Sequence, residues 1–226
     1  MSRLRPLCIA ASGLLATVGA GARDWLLWLH FAFKPLTTIL ILVEAWRAPA
    51  PVDLRYRRAV LIGIALSAIG DVFLMLPTTV TRSGFLLGLG SFLVAHLFFL
   101  RALTTGVRLF AIAWVPLLFG TIGAINLAIL WPGLASGLRL PVLLYMLCLV
   151  AMTSQAVIRS LLLKTPSSRF AAMGGVFFLA SDTVLAYNKF YAPIAMSALW
   201  ILGTYYFALW LIARSVADSE MPEIKS

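Results

Sequence analysis

Eight continuously apolar runs succeed one another along the chain, at 6–22, 25–46, 59–76, 85–100, 109–130, 140–163, 170–187 and 194–213. Short stretches carrying Arg, Pro, Gly and Ser separate them. Most runs approach the length that a helix needs to cross a hydrocarbon core of about 30 Å. None shows the apolar/polar alternation of barrel strands, so the period argues for helices and against a β-barrel. The pattern predicts an all-α fold: a polytopic bundle of eight transmembrane helices forming a single domain over residues 1–226, with a polar, disordered tail at 217–226.

Composition agrees with this reading. The chain is 62% hydrophobic and 12% charged, whereas a soluble domain is about a quarter charged. The first run follows Arg3 and Arg5 and also has the features of a signal peptide, with small residues at Gly19–Ala22. We read it as a retained helix, because its removal would leave seven spans and an outer N-terminus. Cys8 and Cys148 both lie within apolar runs, so no disulfide framework is implied.

The formal charge of +10 raises the question of nucleic acid. The basic residues sit at the ends of runs and form no continuous basic face, which argues against that partner and for a lipid bilayer. With a cytoplasmic N-terminus, only Arg23, Arg82, Arg139 and Lys189 fall on the outer side, and Lys34 lies within a span. The remaining basic residues fall inside, many of them in the Arg47–Arg58 loop and near the C-terminus, so the positive-inside bias places both termini in the cytoplasm. Trp25, Trp28, Trp46, Trp131, Trp200 and Trp210 lie mostly near span ends, as interfacial aromatic residues do.

The third and seventh runs each contain one acid, Asp71 and Asp182, and no other formal charge. An aspartate at mid-membrane costs about 2.5–3.5 kcal/mol on insertion scales, which marks both as candidates for a shared polar site. Counting 1.5 Å per residue, each lies about 20 Å from the arginine at the inner end of its run, Arg58 or Arg169, and Lys34 lies about 20 Å from Arg47. Tyr145 enters the same depth from the outer side. His30 precedes Lys34 by one turn and shares its face, and His96 is expected somewhat deeper. The offset that carries Asp71 onto Asp182 also carries Gly63 onto Gly174, Leu74 onto Leu185 and Lys34 onto Tyr145. That offset suggests a 4+4 parallel repeat.

Two nearby carboxyls in a low-dielectric pocket cannot both ionise cheaply, so one of the pair is suited to hold a proton and the other to act as base. Lys34 is a candidate to bind a phosphate or to neutralise an acid. Ser67, one turn before Asp71, is placed to hydrogen-bond it. Ser181 adjoins Asp182, and His96 is a candidate proton shuttle or headgroup contact. With two histidines the chain cannot build a three-histidine zinc site. No nucleophile elbow, Walker loop or Cys-x-x-Cys pair is present.

Taken in order, Lys34-Pro35, Ser67-Ala-Ile-Gly70-Asp71, Gly88-x-x-x-Phe92-x-x-x-His96, Tyr145, Gly174-Gly-Val-Phe-Phe-Leu-Ala-Ser181-Asp182 and Tyr205-Tyr206 resemble the YhhN family, whose characterised members are lysoplasmalogenases. The resemblance covers nearly the whole chain. It implies a membrane hydrolase that cleaves the vinyl ether of a lysophospholipid substrate, releasing a fatty aldehyde and a glycerophospho-ethanolamine or -choline, with no cofactor and no metal. On that reading Asp71 and Asp182 are the catalytic acid and base in an order the residues leave open. Lys34, Ser67, His96, Tyr145 and Ser181 would contact substrate or tune the pair, and the alkenyl chain would enter sideways past Phe92, Phe177 and Phe178. A bacterial inner membrane is the expected location; oligomeric state and headgroup preference are not set by the sequence. Two other classes use intramembrane acids. A proton-coupled carrier of a small molecule or lipid is one. An intramembrane aspartyl protease is the other, but Ala68 stands where its first motif glycine belongs and Ser181-Asp182 replaces its Tyr-Asp pair.

Overall fold

A computed structural model describes residues 4–21, 27–49, 51–76, 79–80 and 83–217. Arg3, Arg23, Trp25, Arg82, Lys225 and the tail from residue 218 lie outside the described residues, as does the end of the first run at Ala22.

The described residues form eight α-helices: α1 (Leu4–Gly21), α2 (Leu27–Trp46), α3 (Leu54–Met75), α4 (Gly84–Leu103), α5 (Trp114–Leu130), α6 (Ser136–Leu163), α7 (Pro166–Phe190) and α8 (Ser197–Arg214). A single 3-10 turn, Trp131–Gly133, extends α5. Seven helices, α2 to α8, are long and apolar enough to cross a membrane, with α5 counted through its 3-10 turn; α1 is a shorter apolar helix.

Two boundaries move from their sequence positions for local reasons. Helix α3 begins at Leu54, before the apolar run that starts at Ala59, because Asp53 caps it: its Oδ1 accepts from the amides of Arg55 at 2.6 Å and Tyr56 at 3.0 Å. Those bonds, the Tyr56 amide foremost, hold the Asp53 carboxyl below its ordinary pKa. The end of the Arg47–Arg58 stretch, from Leu54 on, is therefore helix, with Arg55, Arg57 and Arg58 in its first turns. Residues 109–113 look like the start of the fifth span but are a loop. Gln155 of α6 holds that loop down: its Oε1 accepts from the Phe110 amide at 3.0 Å, and its Nε2 donates to the carbonyls of Leu103 and Arg108. A buried amide side chain thus satisfies backbone groups that a helix would have paired internally.

Six helices close into a ring in the order α2, α3, α4, α6, α7, α8, each packed on the next; α1 lies against α2 and α8, and α5 lies outside on α6. Glycines allow the closest crossings, as small residues do between membrane helices. A Cβ on Gly63 would collide with the Phe99 ring, and one on Gly70 would stand 2.7 Å from Phe92, which draws α4 onto α3. A Cβ on Gly174 would stand 2.7 Å from Ile212 and 3.0 Å from the Ala208 carbonyl, so α7 and α8 meet equally closely.

The loops gather at two ends. At one, Tyr56 bonds Ser215 at 2.7 Å, Ser167 donates to the Ser215 carbonyl at 2.5 Å, and the Val52 amide donates to Val216 at 3.1 Å. Arg159, buried there, donates to the Thr105 carbonyl and lies over the Tyr56 ring. At the other end Arg139 stacks on Trp131 and Lys189 on Phe85.

Candidate functional site

A cavity of about 580 Å³ opens within the bundle, lined from every helix except α1. Its wall is mostly apolar: Leu74, Leu89 and Phe92 on one side, Ile122, Leu127, Val142 and Met146 on the other. Set into it are Lys34, Asp71, Tyr145, Ser181, Asp182 and Tyr205. The two acids stand on α3 and α7 and face the same cavity, but they are not hydrogen-bonded to each other.

Asp71 is locked. Lys34 Nζ of α2 lies 3.3 Å from its Oδ1. Thr38 donates to its Oδ2 at 3.1 Å, and Tyr205 of α8 donates to the same oxygen at 2.7 Å. Its side chain is 2% exposed. Thr38 shares the Lys34 face of α2, one turn on, so two residues of one helix clasp the carboxylate.

Asp182 is less enclosed, with a side chain 14% exposed. Tyr145 of α6 donates to its Oδ2 at 2.5 Å. His96 Nε2 of α4 lies 3.1 Å from the Tyr145 hydroxyl and 3.7 Å from Asp182 Oδ2. Because the tyrosine proton is committed to Asp182, Nε2–H of His96 is the donor to Tyr145. His96 Nδ1 has no hydrogen-bond partner among the described residues and is buried among Phe99, Phe178 and Tyr145. Asp182 Oδ1 has no hydrogen bond among the described residues, and the residue lines the cavity.

The depth argument holds for Lys34, Asp71, Tyr145 and Asp182, which meet as two contacting pairs. His96, expected deeper, brings its ring within 3.7 Å of Asp182. Side chains lean toward the N-terminus of their helix; α4 and α7 run in opposite directions, so the two side chains lean toward each other. Ser67 does not bond Asp71. It turns back on its own helix, donating to the Gly63 carbonyl at 3.0 Å, and the Asp71 oxygens are already filled. Ser181 lines the cavity but donates to the Ile201 carbonyl at 2.9 Å, tying α7 to α8. His30 bonds the Ala16 carbonyl of α1. Of the three phenylalanines expected on a chain-entry path, Phe92 lines the cavity; Phe178 packs on His96 and Tyr205, and Phe177 turns to Phe207.

Sequence reasoning passed over Thr38, gave Tyr205 no site role, and did not weigh Asn126, whose side chain reaches the cavity from α5. Thr38 had a signal in its i+4 relation to Lys34. Tyr205 is one of two tyrosines in an otherwise apolar run, and spacing alone does not say which of the pair turns inward. Among the described residues no three His, Cys, Asp or Glu side chains converge as a metal would require.

Comparison with known proteins places this arrangement in a family. The model of the YhhN family matches residues 29–216, so the chain belongs to that family and is an integral membrane protein. It is similar to the human protein named lysoplasmalogenase TMEM86A, with 30% identity over 167 residues covering 72% of this chain and 67% of the relative. It is similar also to a Mycobacterium bovis protein named lysoplasmalogenase, with 34% identity covering 70% of this chain and 59% of that one. With an Escherichia coli O157:H7 protein named uncharacterized membrane protein YhhN it shares 34% identity over 46% of this chain and 47% of the relative. The chain thus spans between about half and two thirds of the length of these relatives. No solved structure matches it.

Proposed function

We propose that the protein is a lysoplasmalogen hydrolase, embedded in a bacterial inner membrane as eight spans with both termini cytoplasmic. The observation that carries this reading is the pairing of unlike acids on one apolar cavity: Asp71 with both oxygens bonded, Asp182 with one oxygen unbonded. The cavity volume, about 580 Å³, falls in the usual range for small-ligand sites. Relatives named lysoplasmalogenase support the substrate class. The parallel 4+4 arrangement is supported by the matching partners of the two acids, one from α2 and one from α6.

Vinyl ethers react by protonation at carbon. Asp182 delivers a proton from Oδ1 to the alkenyl carbon once removed from the ether, and the double-bond electrons leave an oxocarbenium ion. Asp71, fixed and anionic, stabilises that cation across the cavity. Water adds to the cationic carbon and gives its proton to the Asp182 carboxylate. The hemiacetal then collapses to aldehyde and alcohol, its hydroxyl proton passing to the departing glycerol oxygen. Tyr145 and His96 support Asp182 throughout by holding Oδ2. A shared-proton dyad of the protease kind is not favoured, because each carboxyl has its own partners.

Hydrolysis in D2O, with the aldehyde reduced as it forms, tests the chemistry. One deuterium at the aldehyde α-carbon is expected from an alkenyl substrate, and no cleavage of the saturated alkyl ether analogue. Equal cleavage of both ethers would rule out protonation at carbon.

A further inference from the structure

The proposed reaction leaves the substrate phosphate without a cation, because Lys34 is committed to Asp71 with a side chain 8% exposed. A second lysine lines the same cavity at its other end. Lys189 stands in the last turn of α7, two turns beyond Asp182 on the same face, a rise of about 10 Å. Its ammonium rests 4.4 Å from the centre of the Phe85 ring and 6.0 Å from that of Phe190, and those two rings meet edge to face at 5.8 Å. Both phenylalanines line the cavity too. No carboxylate among the described residues lies within ion-pair distance of Lys189. An ammonium seated on aromatic faces is held in position while its N–H donors stay open to an anion. Asn126 of α5 is the one amide side chain among the cavity residues, and its Nδ2 donates to the Ile122 carbonyl of its own helix at 2.8 Å.

We propose that Lys189 binds the phosphodiester of the lysophospholipid substrate and sets a preference for phosphate-bearing over neutral alkenyl ethers. This rests on the hydrolase reading above. The rise between Asp182 and Lys189 suits a ligand whose glycerol backbone separates the vinyl ether from the phosphate, with the alkenyl chain lying along the apolar wall of Ile122, Leu127 and Met146. Phe85 then acts as a positioning residue by fixing the ammonium.

The test compares two substrates in uncharged detergent, which removes bilayer phosphate as a competing partner: 1-alkenyl-glycero-3-phosphoethanolamine and 1-alkenyl-glycerol. In Lys189→Gln the ratio of kcat/KM for the first over the second is expected to fall about tenfold or more, through KM of the phosphate substrate, and Lys189→Arg is expected to keep it. Wild-type hydrolysis with an unchanged ratio in Lys189→Gln overturns this proposal alone, and points to a lysine that only meets bilayer headgroups. A variant that loses kcat equally on both substrates overturns it as well, since that marks a structural role. A wild type that cleaves neither ether overturns the hydrolase reading and this proposal with it.

Discussion

On α3, Asp71 is bonded at both oxygens, by a lysine, a threonine and a tyrosine. On α7, Asp182 is bonded at one oxygen, by a tyrosine that a histidine backs. The offset between the acids also relates Lys34 to Tyr145, so each acid takes its main partner from the corresponding helix. The helix carrying the third partner corresponds as well: α8 supplies Tyr205 to the first acid, α4 supplies His96 to the second. Corresponding placement with unequal partners is what the proposed division of roles rests on. A lysine beside Asp71 takes the place that a tyrosine takes beside Asp182, and on the proposed mechanism the first acid is the fixed anion and the second exchanges a proton with the ligand in the cavity.

The most severe way to break this comparison is to remove the exchangeable acid. Asp182→Asn is expected to lower kcat by about 10²–10⁴, the usual worth of general acid–base catalysis, with little change in thermal unfolding. Aldehyde release coupled to a dehydrogenase, read beside unfolding in detergent, checks both halves. Retained turnover in a folded Asp182→Asn protein would move the acid role away from α7.

A stability measurement probes the other acid. Lys34→Met leaves a carboxylate buried and uncompensated, which is expected to cost about 3–5 kcal/mol. Adding Asp71→Asn should recover most of that loss while the double variant stays inactive, because the anion has gone. The same lysine change has no counterpart at Asp182, which meets no lysine or arginine among the described residues. If the double variant is no more stable than Lys34→Met alone, Lys34 and Asp71 are not a coupled pair.

The legible parts of this molecule are those that membrane physics constrains most tightly. Helices had to span a fixed thickness, so run lengths and a rise of 1.5 Å per residue brought Lys34 level with Asp71 and Tyr145 level with Asp182. Rotation about the helix axis and side-chain direction were not constrained in that way. Ser67, one turn from Asp71, satisfies itself on the Gly63 carbonyl, and no spacing rule separates that outcome from a bond to the acid. For His96, counting Cα rises gave a level on α4 but not the reach of the ring: side chains on antiparallel helices lean toward each other, which brings it within 3.7 Å of Asp182. The loop at 109–113 reads as membrane because its residues are apolar; its backbone partner, Gln155, lies 45 residues from Phe110 in sequence.

The smallest expected effect sharpens the comparison most, since it makes one chemical change beside each acid. Tyr205→Phe removes a 2.7 Å bond to Asp71, and Tyr145→Phe removes a 2.5 Å bond to Asp182. At Asp71 the lysine and Thr38 remain, so the fixed anion survives; the lost bond to a charged group is expected to appear as about 1.5–3 kcal/mol of stability and only a modest fall in kcat. At Asp182 the same change strips the bonded oxygen of its hydroxyl and cuts the chain from His96. A fall in kcat of about tenfold is expected there, in the low part of the range for acid–base effects, with a smaller stability cost than at Asp71. The two phenylalanine variants should therefore exchange rank between the two readouts. Equal losses of stability and turnover at both sites would mean that the acids are interchangeable, and the division of labour drawn from their partners would fall.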